Sequence, residues 1–229
     1  VAALVICLVS ILVGTSLAYF MDTDEATNTF TVGSVEIEQV EKFDEDTAQL
    51  LPVVGEDPAV ATDNYVEKNV TVKNTGKNDA YVQTYVAVPA DLDNAGILKL
   101  YDKSPANGWE KIESTKDVVI ENVKYNLYLY RYQNVLPAED DDASTDAHIT
   151  SACLEYVYID KLTDINTYDT NNNGEIDTAY LVDAAGNEIK TFNATGSFNI
   201  YVASQAVQAD GFGSAAEALA AAFTKHPWE

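Results

Sequence analysis

The stretch YDTNNNGEIDTAY, residues 168 to 180, carries the clearest ion chemistry in the chain. Asp169, Asn171 and Asn173 stand at alternate positions, Gly174 permits a sharp turn and Glu175 offers its backbone carbonyl. Oxygen donors at that spacing curl round a calcium ion, with Asp177 in the ninth position of the loop. The twelfth position, where a bidentate Glu or Asp closes the shell, is Tyr180. The ligand set Asp169, Asn171, Asn173, Glu175 and Asp177 is therefore incomplete and needs Asp183 or an outside ligand. The same residues also read as a polar Asn-Gly hairpin loop that binds nothing. Calcium is the candidate ion, and no cofactor is required.

Catalytic constellations are scarce. His148 and His226 are the two histidines; they are far apart in sequence, with no HExxH and no pair at helical spacing. There is no GxSxG elbow and no Gly-rich phosphate loop. Cys153 is the one cysteine beyond Cys7, so no intramolecular disulfide is expected once the N-terminal segment is removed. It lies in CLEYVYID, an expected strand, and reads as a small buried apolar residue. Nothing singles out a carboxylate pair for glycoside hydrolysis among the many acids. An enzyme is not expected.

The formal charge of −24 argues against nucleic acid as a partner, because a polyanion repels it. It suits an exported protein that meets divalent cations. Residues 1 to 13 (VAALVICLVSILV) are apolar, and Ser16-Leu17-Ala18 fits the small-x-small rule, so signal peptidase is expected to cut between Ala18 and Tyr19. The run starts at Val1 without a basic n-region, so further residues are expected upstream. Left uncleaved, the segment is close to spanning length and would anchor the chain, its one route to a membrane. Residues 1–18 are thus read as signal and 19–229 as one domain.

Strand signals dominate that domain. YVEKNVTVK (65–73) and YVQTYVAV (81–88) alternate across the turn-rich Asn74-Thr75-Gly76-Lys77-Asn78-Asp79 and read as a hairpin. VVIENVKYNLYLYRYQ (118–133) reads as one long run, with Leu127 and Leu129 on one face and Tyr128, Tyr130 and Tyr132 on the other. That tyrosine stripe is expected to pack under a loop or neighbouring strand with its hydroxyls at the rim. CLEYVYID, TAYLVD (178–183), EIKTFN after an Ala184-Ala185-Gly186-Asn187 turn, and SFNIYVASQAV (197–207) continue the pattern. PAEDDDASTDAH (137–148) is an acidic crossing between sheets, and SAAEALAAAF (214–223), capped by Ser214 and Glu217, is a helix expected to dock on a sheet edge or end. Eight or nine strands are expected. The fold class is all-β: a two-sheet antiparallel sandwich of jelly-roll or immunoglobulin-like type with a short C-terminal helix.

Three segments resemble the TasA/camelysin family of bacterial exported proteins, processed by a SipW-type signal peptidase. They are GTSLAYFMDTDEATNTFTVGSVEI (14–37), VTVKNTGKNDAYVQTYVAVP (70–89) and IYVASQAVQADGFGSAAEALAAAF (200–223). The resemblance implies a jelly-roll subunit of extracellular fibres in the biofilm matrix, secreted or held at the cell surface. It also implies donor-strand exchange, the N-terminal strand of one copy completing the sheet of the next. Its partners would be copies of itself, the signal peptidase during export and other matrix proteins.

Residues 26–38 suit such a donor: Phe30 and Val32 share one face, and Val35 and Ile37 take the opposite parity beyond Gly33-Ser34, where a bulge resets the register. The donor segment is read as 19–41. Two other readings stay open here: a monomeric surface adhesin using the tyrosine stripe, and a camelysin-like metallopeptidase. The histidines supply no zinc motif for the second, which zinc content and casein hydrolysis would test.

Overall fold

Alternating β-branched and polar residues build thirteen strands among the described residues, numbered here in chain order. The computed structural model describes residues 21–24, 35–43, 52–53, 64–112, 115–139, 146–168, 172, 178–193 and 198–229. One antiparallel sheet runs β1 (Met21–Asp24), β13 (Tyr201–Gln208), β4 (Ala80–Pro89), β8 (Val123–Tyr132), β6 (Trp109–Ile112), with β7 (Val118–Ile120) also on β8. The second runs β2 (Ile37–Lys42), β3 (Val66–Asn74), β9 (Leu154–Ile159), β5 (Leu98–Tyr101). The two share one core: Val70, Val72, Leu154 and Val157 of the second sheet cluster with Val82, Val86, Trp109 and Tyr130 of the first. The protein is an all-β antiparallel sandwich, as the strand pattern predicts.

A third sheet, β10 (Asp164–Tyr168), β11 (Thr178–Val182), β12 (Glu188–Asn193), is appended to the sandwich. Leu181 enters the main core, and Lys190 donates to Asp91 at 2.7 Å on the short helix α1 (Ala90–Asn94).

Three expectations need correction. The count exceeds eight or nine because short strands such as LKLY and WEKI fall below the length at which alternation is readable. The run 118–133 is two strands, because Glu121 and Asn122 both take positive φ (48° and 67°) and make a two-residue hairpin turn.

The segments 65–73 and 81–88 form no hairpin. β3 pairs with β2 and β9, β4 pairs with β13 and β8, and Asn74–Asp79 arches from one sheet to the other. Asn74, fully buried, holds that arch. Its Nδ2 donates to the carbonyls of Asn78, Leu136 and Pro137 (2.9, 3.2 and 3.0 Å), and its Oδ1 accepts from Gly76 N at 3.0 Å. A hairpin turn leaves no such group inside, so the amide selects the arch.

The helix α2 (Ala215–Ala222) docks on the outer face of the first sheet at one end of β4 and β13, within the expected edge-or-end placement. Ala215, Ala218 and Leu219 cover Tyr81 and Val207 there, and the tail brings Trp228 over Tyr85 and Tyr201. β4 is thereby covered on both faces, and nine of its ten residues are buried. Ser214 caps the helix by accepting from Glu217 N at 3.3 Å, while Glu217 reaches back to Gly213 N at 3.1 Å.

The tyrosine stripe faces inward. Tyr130 is fully buried with its hydroxyl donating to Asp102 at 3.0 Å, and Tyr128 donates to Asp93 at 2.7 Å. It offers no open ligand face. The acidic crossing does run between sheets: Leu136 bridges to Ala80 of β4 and Ile149 to Lys73 of β3.

Candidate assembly groove

In VEIEQVEKF, Val35 to Phe43, apolar and polar residues alternate as far as Glu38, and the structure buries Val35 and Ile37 while Gln39 is half-buried. β2 lies at the edge of the second sheet, antiparallel to β3, in a register from Ile37↔Asn74 to Lys42↔Asn69. The ladder is prolonged where Thr75 N and Gly76 N donate to Glu36 O at 2.8 and 3.0 Å. Glu36, Glu38, Val40 and Lys42 are exposed.

The odd row begins inward at Val35, Ile37 and Gln39 and ends at the surface, where Glu41 and Phe43 are exposed and meet Lys68. Val35 and Ile37, 4% and 5% exposed, join the core with Val70, Val72 and Ala206. Burial of side chains this size contributes about 1.5–3 kcal/mol each. Gln39 then reaches across the sandwich to the first sheet. Its Oε1 accepts from Ser204 Oγ at 2.7 Å, and its Nε2 donates to Val202 O at 3.3 Å and to Glu41 Oε1 at 2.7 Å. Ser204 in turn shares a 2.9 Å hydrogen bond with Thr84 Oγ1, and both hydroxyl residues are fully buried.

Next along the row, Glu41 accepts from Lys68 Nζ at 2.5 Å, with the lysine side chain only 9% exposed. The Phe43 ring lies under the same ammonium, 4.8 Å from centroid to Nζ. A lysine this buried is costly unless its charge is met, and both groups that meet it here belong to the β2 segment.

Of the expected donor strand 26–38, Val35 and Ile37 line one buried face, and residues 26–34 lie outside the described residues. Two short strands cap the same side of the sandwich, β1 pairing with β13 (Met21↔Val207 to Asp24↔Ser204) and β2 pairing with β3. Phe30 and Val32 lie outside the described residues, as do Ala18 and Tyr19 at the expected cleavage site. Gln39, Glu41, Phe43 and their partners Lys68, Ser204 and Thr84 were not singled out from sequence. Continuing the odd-numbered row past Ile37 would have found the first three; the partners sit on remote strands.

The calcium ligands Asp169, Asn171, Asn173, Glu175 and Asp177 also lie outside the described residues. Their loop joins β10 to β11, which pair from Tyr168↔Thr178. Asp183 stands at the far end of β11, about 16 Å along the strand from Thr178. Its carboxylate is already engaged by Ala185 N and Asn187 N at 2.9 and 2.8 Å, and hydrogen bonds from Asn187 hold its pKa below the ordinary carboxylate value. Among the described residues, no group of three or more His, Cys, Asp or Glu side chains is arranged to hold a metal ion. Cys153 is fully buried and burial pushes its thiol well up, so it acts as an inert core residue. No protein family, no curated protein and no solved structure matches the chain.

Proposed function

We propose that this chain is a secreted structural protein of the extracellular matrix or cell surface, a TasA-like fibre subunit. In it, the N-terminal segment of one copy fills the groove that β2 occupies in the next. One observation carries the reading. A strand near the start of the mature chain closes the sandwich from its edge, burying Val35 and Ile37 in the core and reaching Ser204 through Gln39. Its Glu41 and Phe43 meet Lys68 at the rim, and among the described residues it pairs with β3 alone. Removing it exposes Val70 and Val72 and strips a buried lysine of its partners. A vacancy of that kind favours refilling by an equivalent strand, which the ladder and the alternating pockets accept by β-augmentation.

The covalent reach is sufficient. Val53 N donates to Ile159 O at 3.1 Å, so the chain is tied to β9 there, beside the Pro52 bridge to the same residue. From Lys42 to Pro52 the backbone extends at most about 35 Å, enough to place β2 on a neighbouring domain of this size.

Two mature proteins test this, one beginning at Tyr19 and one at Asp44, compared by light scattering and negative-stain microscopy with and without calcium. Fibres from the first and none from a second whose circular dichroism is still that of a folded sandwich are expected. A first protein that stays monomeric under every condition overturns the reading and leaves a monomeric surface protein.

A further inference from the structure

Apolar pattern alone cannot fix how far a donor strand slides into this groove. A one-residue slip turns the inward row to solvent and is excluded by burial. A two-residue slip keeps the parity and survives that test. It is the polar positions that oppose it. Slid one way, Ile37 faces the Ser204–Thr84 hydroxyls and Gln39 faces the Lys68 ammonium; slid the other, Glu41 faces the hydroxyls and Phe43 takes the place of the carboxylate at Lys68. Either slip leaves the buried ammonium without a counter-charge.

We infer that Gln39 with Ser204–Thr84, and Glu41 with Lys68, form a two-point polar key. The key sets the register of the inserted strand and restricts the donor to β2 of a second copy of this chain. The inference rests on the strand-exchange reading for its partner, but the key itself is carried by the contacts. The order of requirements along the groove is apolar, apolar, amide, carboxylate, aromatic, and Val35, Ile37, Gln39, Glu41 and Phe43 meet them at successive odd positions. A foreign strand that matches the apolar half but places an apolar or basic residue at the fourth position meets an uncompensated or repelled charge, which gives the site its discrimination.

The test is a charge swap in the full mature chain. Glu41→Lys and Lys68→Glu are made singly and together, and fibre formation is followed by sedimentation and microscopy, with thermal unfolding of each protein alongside. Each single variant is expected to seat its strand roughly 10- to 100-fold more weakly, the range of a charged hydrogen bond lost. An equimolar mixture of the two singles is expected to recover assembly, because every groove then finds a matched donor on the other variant. The double variant is expected to assemble alone.

Single variants that assemble and melt like the wild type overturn the key. A mixture that fails while the wild type and the double variant assemble overturns the restriction to a second copy's β2. Should the wild type never assemble, the exchange reading falls and the melting data decide the key separately. Recovery of the lost stability in the double variant supports a register lock within one chain, and no recovery overturns it. If Lys68→Glu does not fold, Lys68→Gln takes its place; it is expected to erase the groove's preference for the wild-type donor over the Glu41→Lys donor, and an undiminished preference overturns the key.

Discussion

Replacing Ile37 by alanine isolates the face on which β2 depends. Ile37 is 5% exposed within the core, whereas Val40, three residues on, is 42% exposed on the opposite face of the same strand. Truncating a buried isoleucine costs about 2–5 kcal/mol, and an edge position relaxes enough to favour about 2–4. Truncating Val40 is expected to cost no more than about 0.5 kcal/mol. In a domain of this length each kcal/mol lowers Tm by about 2–4 °C, so Ile37→Ala melts about 5–15 °C lower and Val40→Ala within about 2 °C of the parent. Circular dichroism follows the transition, with the fluorescence of Trp109 as a second probe; that indole is fully buried and donates to Ser151 O at 2.8 Å. If β2 is exchanged in fibres, the same loss speeds donor detachment by about 30- to 1,000-fold. Equal effects at the two positions, or the larger one at Val40, would refute the seating described here, because a one-residue slip interchanges the faces.

Other perturbations have defined outcomes. Asn74→Ala removes all four hydrogen bonds of that buried amide and is expected to cost about 2–4 kcal/mol in chemical denaturation; a cost below about 1 would mean the arch does not depend on the amide. Burial, with their hydrogen bonds to Asp93 and Asp102, raises the pKa of Tyr128 and Tyr130 well above 10.0, while the unfolded chain releases those protons near 10.0. Their contribution is therefore whole below pH 10 and declines above it, so Tm is expected to fall between pH 10 and 12, and Tyr130→Phe is expected to flatten that fall. Calcium bound by residues 169–177 would raise Tm, and Asp169→Ala would abolish the rise; isothermal titration that detects no binding removes the ion from the account.

Much of this architecture is legible in the residues themselves, and the remainder has identifiable causes. The alternation of Val70 and Val72, the buried Cys153 and the Ser214 cap each express a local rule, and each holds in the structure. The connection after β3 misleads because Asn-Thr-Gly-Lys-Asn-Asp has turn chemistry in either topology. The deciding contacts come from Leu136 and Pro137, sixty residues downstream. Tyr81 and Tyr85 look like a solvent face until α2 and Trp228 arrive to cover them. The groove is half legible: the period-two pattern is readable at Val35 and Ile37 and breaks at Gln39-Val40, where the inward position turns polar. Lys68 looks like a surface lysine, and only a register shift in β3 between Glu67 and Val70 accompanies its turn inward.

Cross-linking in trans tests the central claim most directly. Val40 and Thr71 face each other across β2 and β3 on the solvent side, and the native Cys153 is buried away from them. One mature protein carries Val40→Cys and a second carries Thr71→Cys; they are mixed under assembly conditions and oxidised. Directly opposed residues on paired strands lie within disulfide reach. The account predicts a reducible bond joining one of each variant, appearing as fibres form. Fibres in which that bond never forms, while a single chain carrying both cysteines closes it internally, would contradict strand exchange through β2.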